Sequence, residues 1–254
     1  MTLTPTVTAD RSAPDRAATT SRLVARGDLS AGELSAMYAL LDEHFEGVTE
    51  GQFRRDTDEK NWAVLIERGG RLVGFTMLLA YETDAGGSGP VSVIYSGDTI
   101  VAPEAWNTSA LPRAWIESVA ALRRHYRRGP YFWLLITSGF RTYRFLPLFW
   151  RRFHPCHDAH TSPDRQGLLD RLAAERFGDR YDPGTGVVRL AAPQRLRGGL
   201  AGIPQSRQAD PHVAFFAARN PGHARGDELA CLTELSPANL TPAGRRMAAA
   251  VPTW

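Results

Sequence analysis

The chain has 254 residues, of which 43% are apolar and 22% are charged, so its length and composition are those of a globular protein with a sizeable core. It contains no run of about 18 apolar residues, and residues 1–20 lack the apolar segment of a signal peptide. We therefore expect a cytoplasmic protein with no membrane partner.

The charge of the chain is unevenly distributed. The formal net charge is +3, yet residues 118–157 contain eight arginines and no acidic residue, so the rest of the chain sums to −5. These arginines are interleaved with aromatic residues, a pattern typical of anion-binding and nucleic-acid-binding surfaces. The alternative is a solvated basic face whose arginines pair with the acidic remainder. The eight are Arg123, Arg124, Arg127, Arg128, Arg141, Arg144, Arg151 and Arg152.

Hydrophobic periodicity and turn residues predict a mixed sequence of helices and strands. Ser30 and Glu33 are spaced as a capping box, and Gly69-Gly70 favours a hairpin between two apolar strands. The predicted elements are helices over 31–45 and 50–59, strands over 62–68, 71–82 and 92–101, a helix over 107–126, a strand over 131–136 and a helical segment after it.

The chain is expected to divide into three parts. Residues 1–21 are predicted to be a disordered tail, residues 22–160 a core, and residues 161–254 a C-terminal extension that packs on the core or completes its sheet. Within the extension we predict a helix over Pro163–Phe177, strands over 187–190, 212–218 and 228–235, and a last helix from about Thr241.

This order of elements resembles the GNAT (N-acetyltransferase superfamily) fold over about residues 22–155. Val101-Ala102-Pro103 matches the start of that family's strand-end motif, V-x-P-x-x-R/Q-G-x-G-x-G/A. The resemblance implies an α/β fold: a GNAT-like mixed β-sheet flanked by helices, here with a C-terminal α+β extension. It also implies acyl transfer, with no cofactor beyond the acyl donor.

The donor loop departs from the family pattern. Trp106 replaces the Arg or Gln, and Asn107, Ser109 and Leu111 replace glycines that would let backbone N–H groups approach the pyrophosphate of acyl-CoA. The same strand end, through Val101, Asn107 and Ser109, is the expected donor-binding segment. The sequence thus leaves open two donors, acyl-CoA and aminoacyl-tRNA.

Two candidate catalytic residues follow from the resemblance. Asp98 lies late in the third strand, where a carboxylate base is often found; the alternative is a turn aspartate bonded to local backbone. In the family's later motif Trp150 stands where a tyrosine often protonates the departing thiolate, and an indole cannot do so. Tyr143, about two turns earlier, is the candidate replacement.

Arg141, Arg144 and Arg151 fall on one helical face if Pro147 kinks the helix without ending it. We predict that they bind the phosphates of the donor. Together with Arg123, Arg124, Arg127 and Arg128 they are expected to surround one cleft.

Two histidine-containing segments lie beyond this window. His223, with Asp227 or Glu228, is a candidate acid–base pair in a loop between two predicted strands; an exposed Gly/Pro turn is the alternative. The segment HPCHDAH (154–160) has histidines at zinc-ligand spacing, but no second ligand cluster accompanies it, and we predict no metal site.

The sequence therefore predicts an acyltransferase that acts on an amine or hydroxyl of a small molecule, with tRNA as a possible partner. The competing hypothesis is a non-catalytic, GNAT-like module that binds nucleic acid or another partner. The enzyme requires its candidate residues to face one pocket, whereas the binding module requires an open, convex arginine surface.

Overall fold

The computed structural model describes residues 19–86, 89–105, 108–198 and 201–250. Its strands, in chain order, are β1 Thr19–Ala25, β2 Phe45–Glu46, β3 Trp62–Arg68, β4 Arg71–Asp84, β5 Pro90–Val101, β6 Tyr131–Thr137, β7 Phe153–His154, β8 Tyr181–Asp182, β9 Val187–Val188, β10 Arg195–Leu196 and β11 Glu228–Glu234. Its helices are α1 Ala31–His44, α2 Glu50–Asp58, α3 Ala110–Arg123, α4 Phe140–Tyr143, α5 Phe145–Phe149, α6 Pro163–Phe177, α7 Gln205–Gln208, α8 Pro211–Arg219 and α9 Pro242–Met247.

One mixed sheet organises the described part of the chain, in the order β1-β3-β4-β5-β6-β11-β9-β8, with β7 paired to β11. β3, β4 and β5 are antiparallel neighbours, whereas β5 and β6 are parallel and are connected by α3. A helical crossover of this kind is what parallel neighbours require. The fold is of the predicted α/β class: a mixed sheet flanked by helices.

The C-terminal region completes the sheet. β11 pairs with β6 on one side and with β9 on the other, so residues beyond 160 supply inner strands. All seven residues of β6 are buried, because β5 and β11 cover its edges and helices cover both its faces.

The alternation of β6 side chains divides the core into layers. Trp133 and Leu135 pack with α3, whereas Phe132 and Leu134 pack with the apolar face of α6. Helix α1 covers β3 and β4 in a third cluster. Helix α3 thus lies on one face of the central strands and α6 on the other.

Two irregularities of β5 shape the end of the sheet that faces α2. Pairing of β5 with β6 stops at Ser96 and Leu135, although β5 continues to Val101. On the other edge, the register with β4 shifts between Gly97 and Ile100, where Asp98 has a φ of 48°. A non-glycine residue with positive φ inside a bulge is the sign of a locally imposed conformation.

The structure differs from the predicted elements in three places. Residues 19–21, assigned to the disordered tail, belong to β1; residues 1–18 lie outside the described part. The predicted strand 212–218 is helix α8, since Asp210 caps it and Pro211 fits its first turn. The predicted continuous helix after β6 is instead two short helices, α4 and α5, which end before Trp150.

Among the described residues, no helix has both the length and the apolarity needed to cross a membrane.

The turn before β6 gives a test of the packing. Gly129 has a φ of 59°, and a Cβ there would lie 1.8 Å from the carbonyl oxygen of Pro90. We expect Gly129→Ala to lower the free energy of unfolding by about 2–5 kcal/mol, because conformational strain adds to a backbone clash. Gly70→Ala is the matched control: φ there is 77° and no atom lies within 4 Å, so the loss should be about 1–2 kcal/mol. Urea denaturation of both variants measures the difference, and equal losses would contradict the predicted clash.

Candidate functional site

A cleft of about 750 Å³ opens where β5 and β6 separate. Its walls include the last residues of both strands, the start of α3, helix α4, and parts of α2, α6 and α7. The separation leaves a gap at the carboxyl ends of two parallel strands, which is where open α/β sheets most often bind ligands. The lining is charged differently at its two ends.

The acidic end is centred on Asp98 and Lys60. Lys60 is the only lysine in the chain, and its buried ammonium lies 3.3 Å from Oδ2 of Asp98. The same Nζ donates a hydrogen bond of 3.0 Å to the carbonyl oxygen of Asp56 at the end of α2. The bulged conformation of Asp98 is therefore joined to α2 by an ion pair that is largely removed from water.

Two more carboxyl groups face this end of the cleft. Burial, and then repulsion by Asp98, raises the pKa of Glu228 to about 8, while Lys60 acts in the opposite direction. The pKa of Asp56 is also raised, by burial first and by Asp98 second. A carboxyl group that titrates near neutral pH can accept a proton from a substrate, which ordinary carboxylates do poorly.

Tyr95 lies beneath these charges. Its ring is 5.5 Å from Lys60 Nζ and 5.2 Å from the guanidinium of Arg176, so two cations flank one aromatic face. Burial raises the pKa of Tyr95 well above its ordinary value, with Asp98 and Glu228 acting in the same direction. The phenol is therefore protonated at neutral pH.

A second set of charged residues, here called the cationic end, consists of arginines that line the same cleft. Arg141 and Arg144 come from α4 and Arg207 comes from α7. Arg144 pairs with Asp210 at 3.1 Å. Burial, and then the charge of Arg207, lowers the pKa of Arg141, as expected where guanidinium groups share a partly buried wall. This end is suited to an anion.

The start of α3 offers few free backbone donors. The N–H of Ala110 is 3.4 Å from Oγ1 of Thr108, and Pro112 has no N–H. Val101 lines the cleft, whereas Ser109 is exposed and is not among the lining residues; Asn107 lies outside the described residues. The structure thus brings one of the three predicted loop residues to the cleft.

Tyr143 lies elsewhere. It is fully buried among Phe153, Phe215 and Phe216, and its hydroxyl donates a 3.0 Å hydrogen bond to the carbonyl oxygen of Pro155. Burial raises its pKa far above the ordinary value. Helix α4 turns this side chain into the core, while Thr142 and Arg144 face the cleft.

His223 is also outside the cleft lining. Its ring packs 5.5 Å from that of Phe216, and its Nδ1 is buried with no hydrogen-bond partner in the described structure. Asp227 instead faces Arg189 and Arg225 at 3.7 and 3.9 Å. Of the predicted acid–base group, Glu228 alone reaches the cleft.

The arginine window does not form one surface. Arg151 is exposed beyond the end of α5 and does not share a helical face with Arg141 and Arg144. Arg123 and Arg127 bind backbone carbonyl groups near the start of β6, whereas Arg141 follows its end. Seven strand residues separate the two groups by roughly 20 Å. The expected single ring of seven arginines is therefore wrong.

The histidine-rich segment is dispersed as well. The ring of His157 packs 4.3 Å from that of His212, while His154 and His160 line a different cavity. Within the described ranges, no group of three or more His, Cys, Asp or Glu side chains is placed to hold a metal ion.

Sequence reasoning missed Lys60 and Asp56 as cleft residues, and it named Glu228 only as a possible partner of His223. Lys60 carried a signal, because it is one lysine among 30 cationic residues. Glu228 carried a weaker one as an acidic residue at the start of a buried strand. Their proximity to Asp98 depends on strand order, which their spacing along the chain does not show.

No family model matches the chain, and no curated protein matches it. Among solved structures, it is similar to a probable N-acyltransferase from Enterococcus faecalis V583 (14% identity, TM-score 0.40), of which it covers 33% while 53% of this chain is aligned. It is also similar to Escherichia coli ElaA (14%, TM-score 0.39; 57% of this chain, 93% of that one) and to an acyl-CoA N-acyltransferase from Pseudomonas aeruginosa (17%, TM-score 0.33; 46% and 79%). The chain spans a third of the length of the Enterococcus protein. The activity of the present chain is therefore inferred from its own residues and not from these structures.

The raised pKa of Glu228 predicts how stability depends on pH. The native state keeps this proton up to about pH 8, whereas the unfolded chain releases it near its ordinary pKa, so the contribution of Glu228 to stability falls as pH rises through that interval. We expect Glu228→Gln to match the wild type near pH 4 and to exceed it by on the order of 1–3 kcal/mol at pH 8. Thermal denaturation from pH 4 to 9 measures this difference. A difference that does not change with pH would contradict the assignment.

Proposed function

We propose that the protein transfers an acyl group from a phosphate-bearing activated donor to an amine of a small acceptor. The observation that carries the proposal is the cleft itself: its acidic and cationic ends meet where β5 separates from β6. A cationic acceptor suits the first end and an anionic donor the second. Between them, backbone groups of β5 beyond Ser96 have no partner on β6 and can face the reacting carbonyl.

The acidic end supplies the proton acceptor. Glu228 has the raised pKa that a general base needs at neutral pH, and it lies on the wall that also holds Asp98. Asp98 is bound to Lys60, so its proposed part is to orient the acceptor and to favour its positive charge. This shifts the role of base from Asp98, the residue favoured by the sequence, to Glu228.

The reaction balances with these groups. The amine nitrogen attacks the carbonyl carbon, a C–N bond forms, and the bond from the carbonyl carbon to the donor's sulfur or oxygen breaks. The ammonium of the acceptor loses one proton to solvent before the attack, and Glu228 accepts the second proton, which the nitrogen loses as the C–N bond forms. The leaving thiolate or alkoxide takes a proton from Tyr95, the protonated phenol on the cleft wall, whereas Tyr143 is committed to Pro155.

The cationic end binds the donor through side chains. The start of α3 lacks the glycines and most of the free N–H groups that would hold a pyrophosphate, whereas Arg141, Arg144 and Arg207 face the cleft across from it. Guanidinium groups bind phosphate oxygens in pairs and do not need close backbone approach. Arg207 thus takes the place that the sequence gave to Arg151.

Side-chain recognition suits two donors. Acyl-CoA brings phosphates on a flexible carrier, and aminoacyl-tRNA brings them on the 3′ end of a polynucleotide. The sequence of this segment has no glycine at positions 107, 109 and 111, which favours the second donor over the first. A purely binding module is the weaker alternative, because it requires a convex arginine surface, whereas Arg141, Arg144 and Arg207 line a cleft that half-buried carboxyl groups also line.

Donor binding can be measured by thermal shift with CoA, an acyl-CoA and aminoacylated tRNA, each at two salt concentrations. We expect one of them to stabilise the protein, and Arg141→Gln with Arg207→Gln to weaken its binding at least tenfold. Arg151→Gln removes an equal charge outside the cleft and should have no effect. A steep loss of binding with salt would identify the polynucleotide, because each neutralised phosphate releases counterions. No response to any of the three donors would overturn the proposal.

Catalysis can be measured as acyl transfer to a panel of small amines. Glu228→Gln should lower kcat/KM by about 10²–10⁴-fold, the usual contribution of a general base. In the wild type, kcat/KM should rise about tenfold per pH unit until about pH 8, and the variant should lose this limb. Tyr143→Phe is the control, since its hydroxyl faces the core, and it should change kcat less than about threefold. An unchanged pH profile in Glu228→Gln would transfer the role of base back to Asp98.

A further inference from the structure

A second cavity, of about 220 Å³, lies at the opposite end of the sheet from the cleft. It is bordered by β7, the last residues of β11 and the start of α6, and it shares no lining residue with the cleft among the residues described. Nothing in the proposed acyl transfer uses it. Its polar lining residues are Arg152, His154, His160, Ser162, Arg165, Thr233, Glu234 and Asn239.

The charges of this cavity do not balance. Arg165 pairs with Glu234 at 2.9 Å, which neutralises one guanidinium group. The side chain of Arg152 is exposed and has no ion pair or hydrogen bond with any described residue, so no carboxylate in the described part of the chain balances its charge. The cavity therefore holds one more cation than it has carboxylates.

Arg152 is nevertheless held in a fixed place. The buried side chain of Asn239 accepts a hydrogen bond from the N–H of Arg152 (2.9 Å) and donates one to its carbonyl oxygen (3.0 Å). The hydroxyl of Thr233 donates to the same carbonyl at 2.8 Å. Three hydrogen bonds thus fix the backbone of a residue whose own charge makes no contact, an arrangement that lowers the cost of binding.

Two further cavity residues are placed to act as donors. His154 is half-buried and its Nδ1 is shielded from solvent without a hydrogen-bond partner in the described structure. Its pKa is lowered by burial and then by Arg165 and Arg152, so the ring is neutral at pH 7 and has one N–H to donate. Ser162 caps the 15-residue helix α6, whose N-terminus adds partial positive charge.

Arg165 also lines the cavity, and two contacts hold its guanidinium group in place. Its guanidinium lies 4.9 Å from the ring centroid of Phe132, and Glu234 binds it from the other side. The stacked and paired geometry keeps the group in one orientation beside the open cavity.

We propose that this cavity is a binding site for a small tetrahedral oxyanion, a phosphate either free or as the monoester of a small metabolite. The exposed guanidinium of Arg152, which no carboxylate pairs with, supplies the counter-charge, and His154, His160 and Ser162 supply further hydrogen-bonding groups. A phosphate dianion matches this combination, because guanidinium groups bind its oxygens in pairs while neutral donors satisfy the remaining oxygens. The segment 154–160, for which we predicted no metal site, thus contributes two histidines to the proposed anion site.

The experiment uses the full chain carrying Arg141→Gln and Arg207→Gln, so that the cleft does not respond to phosphate. Inorganic phosphate, glycerol 3-phosphate and potassium chloride are compared at equal ionic strength by thermal shift and by isothermal titration calorimetry at pH 7.5. We expect at least one phosphate compound to bind and chloride not to. Preference for inorganic phosphate identifies the free ion, and preference for the ester identifies a phosphorylated ligand.

Arg152→Gln, added to that protein, should weaken binding at least tenfold. Arg151→Gln is the matched control: it removes an exposed charge one residue away from the cavity and should leave binding unchanged. Because Asn239 binds the backbone of Arg152 and not its guanidinium, the first variant is expected to keep its unfolding midpoint without ligand. The proposal is overturned if chloride stabilises as much as phosphate, if neither phosphate compound binds, or if both arginine variants bind equally. None of these outcomes depends on acyl transfer.

Discussion

The buried pair between Lys60 and Asp98 is the interaction on which the acidic end of the cleft depends. Asp98 sits at a bulge with positive φ, and Lys60 ties it to the end of α2. Removing water from charges is costly, so such a pair persists only with good geometry and further hydrogen bonds. Here the carbonyl oxygen of Asp56 supplies one of them. Burial first, and then the negative charge of Asp98, raises the pKa of Glu228, while Lys60 opposes this effect.

The separation of β5 from β6 opens the cleft that the carboxyl groups and the arginines line. If the two strands stayed paired to their ends, the carboxyl groups on one face and the arginines near α4 would be divided by a continuous sheet. Because pairing stops at Ser96 and Leu135, the two faces open into a single cleft. The bulge lies on the edge of β5 that pairs with β4, and the unpaired residues lie on the edge that faces β6. Both irregularities therefore occur in the same short segment of β5. The positions of the carboxyl groups and the arginines in the cleft therefore depend on the order and pairing of the strands as well as on which charged residues the sequence contains.

Much of the fold could be predicted from the sequence, because local signals and tertiary packing agree. The capping box of Ser30 and Glu33 forms as predicted, α6 spans the predicted Pro163–Phe177, and the Gly69-Gly70 hairpin joins β3 to β4. The prediction failed at 212–218, where a continuous apolar run was interpreted as a strand. Val213 and Phe216 are the buried residues of α8, and their spacing of three is that of a helix.

The site was harder to predict, because its residues meet only after the sheet is assembled. Asp98 could be found from its position at a strand end. Glu228 was found only as a possible partner of His223 and not as a neighbour of Asp98, since nothing near it in sequence shows that β11 inserts beside β6. Tyr143 was predicted to be in the site but is not. Its neighbours in α4 face the cleft, whereas its own side chain points into the core, and the sequence alone does not show which side chains of this short helix face inward.

The position of β11 also constrains how the chain matures on the ribosome. β6 has finished synthesis long before its neighbour on that side exists, so its hydrogen-bonding edge stays unsatisfied until residues 228–234 emerge. An apolar strand with an open edge is a template for association with other chains. Nascent forms should therefore depend on chaperones or on slow elongation until residues 228–234 have been synthesised, and termination before them would yield an aggregation-prone fragment lacking the proposed proton acceptor.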